Sequence, residues 1–211
     1  SLPLPESALV RLGQYEDPFT DLLKGYHASE ALRQSERTEL PSDANDCLRL
    51  AILTSEAARR ARSSSAALKI VEHAGKFLAE ARPETAWAFH YLKAGLHWSQ
   101  ISYHAALLEV EEARRLTGET GSSDLLYETH VLRRRIARNL RLVQVQVESD
   151  TVLDILDQMR AIRKMPPGKR EEISFMDALG VEAPSSRYRE VLQRLRELRK
   201  SWRTSRNHHG H

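Results

Sequence analysis

The sequence predicts an all-α fold: stacked antiparallel helical hairpins, roughly seven to nine helices, with a basic C-terminal helix. Three observations carry that prediction. Among 211 residues there are 9 Gly and 8 Pro, and aromatics make up 6%, while Ala, Leu, Arg and Glu dominate, a mixture that favours helix on intrinsic propensity. Breaks at Pro41, at Ser63–Ser65, at Pro83, at TGETGSS and at MPPGK separate segments whose apolar residues recur every three or four positions. Finally, AALKIVEHAGKF at 66–77 aligns without gaps on AALLEVEEARRL at 105–116, with six of twelve positions identical at an offset of 39 residues.

The elements follow in order. PESALVRLG is a short first helix closed by Gly13. Asp17 before Pro18 is an N-cap with proline at the first helical position, opening a helix through SERTE. Asp43 or Asp46 caps the run Leu48 to Arg62, and the Ser63–Ser65 break caps AALKIVEHAGKFLAEA. Pro83 closes that helix and opens the next, WAFHYLKAGLHW included. A tight turn near Gln100 leads into YHAALLEVEEARRL, and TGETGSS reads as a loop. A long helix starts at Asp124; within it VQVQV reads as continued helix or a bend, its strand-like alternation having no pairing partner. TVLDILDQMRAIRK is helical, EEISFMDALG is a short helix ended by Gly180, and APSS caps a last helix, RYREVLQRLRELRKSW. The domain organisation expected is a helical-hairpin domain over 1–165 and, over 166–211, a short helix, a basic amphipathic helix and a frayed tail.

The repeat extends to the preceding helices, where Leu50, Leu53 and Ala57 fall over Phe89, Leu92 and Leu96. Carried forward, the same offset meets Gln144 and Ser149, so two units are expected and no clean third. In the second helices Ala67, Val71 and Ala74 are matched by Ala106, Val110 and Ala113, with Tyr103 at an aromatic position three before. Over 47–117 this small–large–small pattern resembles the tetratricopeptide-repeat-like helical hairpins, including those of large signalling ATPases and multidomain kinases. The resemblance implies a regulatory or binding module with a concave groove lined by the first helices.

The helix opened by Pro83 carries two apolar rows. Phe89, Leu92 and Leu96 face the hairpin partner, whereas Trp87, Tyr91, Ala94 and Trp98 form a second row flanked by His90 and His97. That second row either packs against the N-terminal helices and the helix after Asp124, or lines a groove where aromatic anchors bind a partner helix or extended peptide. The expected partner-binding residues are therefore Trp87, His90, Tyr91, Ala94, His97 and Trp98.

Charge points to a second class of partner. The net charge of +3 conceals a tail of +6 from Arg187 onward, eight Arg and Lys against Glu190 and Glu197, so the first 186 residues sum to −3. RRRIARNLR places Arg133, Arg134, Arg135, Arg138 and Arg141 in a stretch without acids from Glu128 to Glu148, with Leu132, Ile136, Leu140 and Val143 as its buried side. Together with Arg189, Arg196, Arg199 and Arg203 they form a basic patch: a solvated face, or one contacting nucleic acid, an anionic membrane or an acidic protein. Val191, Leu195, Leu198 and Trp202 form a heptad row that would cap the stack, dock on another chain or lie on a membrane.

Other chemistry is weakly represented. His90, His97 and His104 recur every seven residues, which is not metal-ligand spacing, and no carboxylate or cysteine completes a set. Cys47 is the single cysteine, so no internal disulfide forms and a reducing location, cytoplasmic or nuclear, is expected. No apolar run reaches transmembrane length, and an opening on SLPLPE rather than Met is expected of a segment of a longer protein. No phosphate-binding glycine loop, nucleophile elbow or apolar carboxylate pair is present. The expectation is a non-enzymatic interaction or scaffold module without metal or cofactor; the alternative is a basic helical module binding nucleic acid or anionic membrane.

Overall fold

The structure, a computed structural model, describes residues 4, 5, 8, 9, 12, 28–37, 39, 41–61 and 63–163. The expected N-cap at Asp17, the helix ending at Gly180, the C-terminal helix and its Arg189, Arg196, Arg199 and Arg203 lie outside the described residues. All regular structure among the described residues is helical. Seven α-helices are described there: α1 (Ala28–Arg37), α2 (Ala44–Arg60), α3 (Ser64–Ala74), α4 (Pro83–Ser99), α5 (Tyr103–Thr120), α6 (Ser123–Asn139) and α7 (Val143–Arg163), with a 3₁₀ segment, Gly75–Glu80, after α3. The chain divides into two compact units, Ser1–Leu153 and Asp154–His211. The second is described only over the last turns of α7.

Local chemistry sets the boundaries. Asp43, extended, accepts the Asp46 amide on its side chain at 3.0 Å and starts α2. Pro83 occupies the first turn of α4 and keeps Arg82 extended, so the preceding chain cannot run on as α-helix. It instead tightens into 3₁₀ from Gly75, where a continuous helix is expected from sequence. TGETGSS is a correction of the opposite kind. Helix α5 continues through Thr120, its last turns held by Thr117 and Thr120 hydroxyls on the Arg114 and Thr117 carbonyls and by the Arg115–Glu119 pair. Gly121 then ends it at φ 62°, in the left-handed region, and Ser122 caps α6 by accepting the Leu125 amide. VQVQV opens a new helix.

The turn ending α4 and the turn ending α6 share one hydrogen-bond pattern. Ile101 and Ser102 donate their amides to Trp98 and His97, and Arg141 and Leu142 donate theirs to Arg138 and Ala137. This is the Schellman arrangement, with Ile101 (φ 64°) and Arg141 (φ 56°) in the left-handed position. After α2, Ser63 donates to Ala58 in the same six-residue closure. Three short-turn hairpins, α2–α3, α4–α5 and α6–α7, thus succeed one another, one more than the sequence repeat predicts. Arg141 and Val143 consequently leave the helical faces assigned to them: Arg141 sits in the turn, and Val143, expected to be buried, is 68% exposed.

The core is continuous through the first two hairpins. Ala67, Val71 and Ala74 on α3 and Ala106, Val110 and Ala113 on α5 are all buried, as are Leu53, Ala57, Phe89, Leu92 and Leu96 on the facing helices. Helix α4 packs against α2, α3, α5 and α6 at once. A helix surrounded in this way buries both of its sides, so a single amphipathic stripe is not required of it. The corresponding second side of α2, Leu48, Ile52, Ser55 and Arg59, is buried as well. Near it lie Leu4, Ala8, Leu9 and Leu12, buried in the same core, and Arg49 donates to the Leu12 carbonyl.

Candidate partner-binding site

The six residues singled out on α4 divide into two groups. Trp87, Tyr91 and Ala94 are interior and line no groove: Trp87 is 0% exposed, its indole Nε1–H donates to Thr129 Oγ1 on α6 at 2.8 Å, and its ring stacks on Tyr91 at 4.8 Å. Thr129 passes its own proton to the Leu125 carbonyl, so the buried donors are satisfied. The Tyr91 hydroxyl is pushed well above its ordinary value, first by burial and next by Glu128. The second row of α4 is therefore the joint between hairpins two and three.

His90, His97 and Trp98 are only partly covered. His90 Nδ1 meets Glu109 Oε2 at 2.7 Å, and Lys93 Nζ meets the other oxygen at the same distance. Burial works to raise the Glu109 carboxyl, but the hydrogen bonds from His90 and Lys93 outweigh it and hold it below its ordinary value. His97 is lowered by burial and then by Lys93. Trp98 packs against the core from the open end of α4, and its Nε1–H is buried there with no acceptor among the described residues. Three residues on stands Ile101, 73% exposed and at positive φ, a strained and water-exposed position for a β-branched residue. No expectation from the sequence falls on Ile101, whose one signal there is an apolar residue inside a turn.

The five arginines of RRRIARNLR also divide. Arg133, expected in a surface patch, is buried at a three-helix junction. Its Nε donates to Glu111 on α5 at 2.6 Å, and its other nitrogens donate to Glu148, Ser149 and the Val145 carbonyl on α7. Burial works to raise Glu111, but hydrogen bonds from Arg133 and Arg114 prevail and lower it. Buried His130 lies 3.4 Å from Ser149 through Nδ1 and is lowered to about 4 by burial, then by Arg133 and Arg114. Because Ser149 Oγ accepts from Arg133, its own proton is free to point at His130, which suits a neutral imidazole. Arg134 pairs with Asp150 at 2.9 Å. Arg135, Arg138 and Arg141 are exposed.

Two further features complete the described surface. A cleft of about 360 Å³ lies over Leu78, Pro83, Ala86 and Leu116, with Glu112 and Glu119 both held by Arg115 at its edge. Val143 and Val147 stand exposed at the start of α7. Among the described residues no three His, Cys, Asp or Glu side chains group as a metal site, and no helix is long and apolar enough to cross a membrane. Compared with protein-family models, curated proteins and solved structures, the chain has no match in any of the three.

Proposed function

We propose that this chain is a non-enzymatic protein–protein interaction module, tetratricopeptide-like in the stacking of its hairpins, which holds a segment of another protein against the turn end of α4. One observation supports this above the others: Trp98 is an aromatic side chain left partly uncovered at the end of α4, beside the exposed and strained Ile101. Tryptophan is over-represented among residues that dominate binding energies, because it supplies a large apolar area. The anchor set is narrower than the six residues of α4, namely Trp98 with His97 and the turn after it.

A second reading rests on Arg135, Arg138 and Arg141, which face solvent: a basic module binding nucleic acid or an anionic membrane. Salt separates the two. Binding carried by several phosphates falls by orders of magnitude between about 50 and 200 mM salt, whereas an aromatic anchor tolerates that change.

The test is capture from a lysate on the immobilised full chain, in parallel with Trp98→Ala, after nuclease treatment and at moderate salt. The expected result is a protein retained by the native chain and lost by the variant, with both melting cooperatively. Retention that nuclease abolishes, or that Trp98→Ala leaves intact, overturns the proposal.

A further inference from the structure

We propose that the side of α2 carrying Arg49, Ile52 and Glu56 is a docking site for an amphipathic helix of another protein, and that the chain's own Leu4, Ala8, Leu9 and Leu12 occupy it as a displaceable internal ligand. This site is independent of the anchor at Trp98.

Two hydrogen bonds fix how the amino-terminal segment lies. Its Leu4 amide donates to Glu56 Oε1 at 3.1 Å, and its Leu12 carbonyl accepts from Arg49 at 2.9 Å. Arg49 and Glu56 stand two turns apart on one side of α2, about 10.5 Å at the helical rise, so the segment crosses that side antiparallel to α2. Ile52, fully buried, lies on the same side between them. Ala8, Leu9 and Leu12 are helical, and the Pro5 carbonyl accepts from the Ala8 and Leu9 amides. With Leu4 they have the spacing of an apolar helical stripe, Leu-x3-Ala-Leu-x2-Leu, and all four are buried.

The contact is that of a ligand on a preformed site. Both ties use backbone groups near the ends of the segment, and any short helix offers such groups, because its first amides and last carbonyls have no internal partner. The charges of α2 do not depend on the segment. Without the Leu4 amide, Glu56 still accepts from Arg59 at 2.7 and 2.8 Å and from Arg60 at 2.7 Å; without the Leu12 carbonyl, Arg49 keeps Asp46 at 3.6 Å. Departure of the segment thus strands no ion, and it returns water to a carboxylate and guanidiniums whose burial is costly. The junction at Arg133 is the opposite case, since Glu148 and Ser149 both take their bonds from the one guanidinium. A partner helix with the same apolar spacing fits the site, and one longer than two turns gains contacts that the internal segment lacks. A second copy of this chain gains nothing, because it offers the same segment without the advantage of the tether.

Fluorescence anisotropy with the full chain tests this, using a fluorescein-labelled peptide of residues 1–13, SLPLPESALVRLG, in the place of the partner helix. The peptide should bind the Leu9→Asp/Leu12→Asp chain at least about tenfold more tightly than the native chain, whose site is open only in the fraction with its own segment released. A peptide carrying the same two aspartates should bind neither. Equal binding to the two chains, or by the two peptides, overturns the inference. Amide exchange of the native chain reads the same site without a variant that has to fold. An excess of unlabelled peptide should quicken exchange at Ala8, Leu9 and Leu12 of the chain and leave α2 protected. Unchanged exchange there overturns the inference, and so does a concentration-dependent dimer of the native chain in sedimentation, which assigns the site to a second copy. Trp98→Ala should leave peptide binding unchanged, so failure at α2 and failure at the turn end of α4 are told apart.

Discussion

Replacing Arg133 with methionine keeps the volume of its stem and removes one charge from the junction of α5, α6 and α7. Four acceptors lose a donor, Glu111, Glu148, Ser149 and the Val145 carbonyl, although Glu111 keeps Arg114. Breaking a buried ion pair by deleting one partner costs about 3–5 kcal/mol. Here the carboxylates keep 31% and 33% of their side-chain exposure, so water recovers part of what they lose. The expected destabilisation is therefore about 2–3 kcal/mol, as charge-assisted bonds to half-hydrated acceptors contribute less than buried ones. Urea unfolding checks it: the midpoint should fall at unchanged slope. Amide exchange should quicken in the first turns of α7 before it does in α4. A midpoint shift below about 0.5 kcal/mol would refute the junction as an energetic tie between hairpins two and three.

Four other outcomes are expected. His130 is lowered to about 4 in the fold, so below its ordinary 6.5 the unfolded chain takes up a proton that the folded chain refuses. Stability is full above 6.5 and falls by up to about 3 kcal/mol as the pH drops to about 4; His130→Gln should flatten that part of a pH–stability curve. Trp87→Ala should cost about 3–5 kcal/mol in denaturant unfolding and Trp98→Ala clearly less, since only Trp87 is fully enclosed. Ile101→Gly should raise the melting temperature, relieving about 1 kcal/mol of left-handed strain. Ala106→Leu should overpack the crossing with α4 and lower stability by about 1–3 kcal/mol; an unchanged midpoint there would mean the site has room.

Two hairpins were legible in the sequence because their crossings are apolar: Ala67, Val71 and Ala74 are repeated as Ala106, Val110 and Ala113, and small residues at a helix contact leave a readable trace. The third hairpin was not, because its hydrogen-bonded contact is made by His130, Arg133, Glu148 and Ser149, whose types suggest a surface. Its backbone turn did repeat, but a left-handed turn position held by Ile101 and Arg141 rather than glycine carries no compositional mark. Thr117, Gly118 and Thr120 read as loop on propensity, and side-chain hydroxyls bonding back to carbonyls kept them helical. On α4 both rows marked by the periodicity are buried, apart from Trp98. Which row was enclosed depended on α6, some forty residues away, and that distance is where sequence pattern stops informing. Trp98 remained a candidate because it stands at the helix end; Trp87, Tyr91 and Ala94 passed into the interior with the arrival of Thr129.

The exchange of an apolar crossing for a salt-bridged one also bears on the order in which the chain acquires its structure. Contacts between neighbouring hairpins span few residues, which favours rapid folding through local nuclei. The first two hairpins can collapse on Ala, Val and Leu alone as soon as both have emerged during synthesis. The third has to desolvate an arginine, two glutamates and a histidine before they pair, a step with little reward until the geometry is complete. A chain of this kind should fold from its amino-terminal hairpins onward and open in reverse, α7 departing first. A protease acting on the opened form would then release a truncated fragment ending near Arg141, still folded and still carrying Trp98.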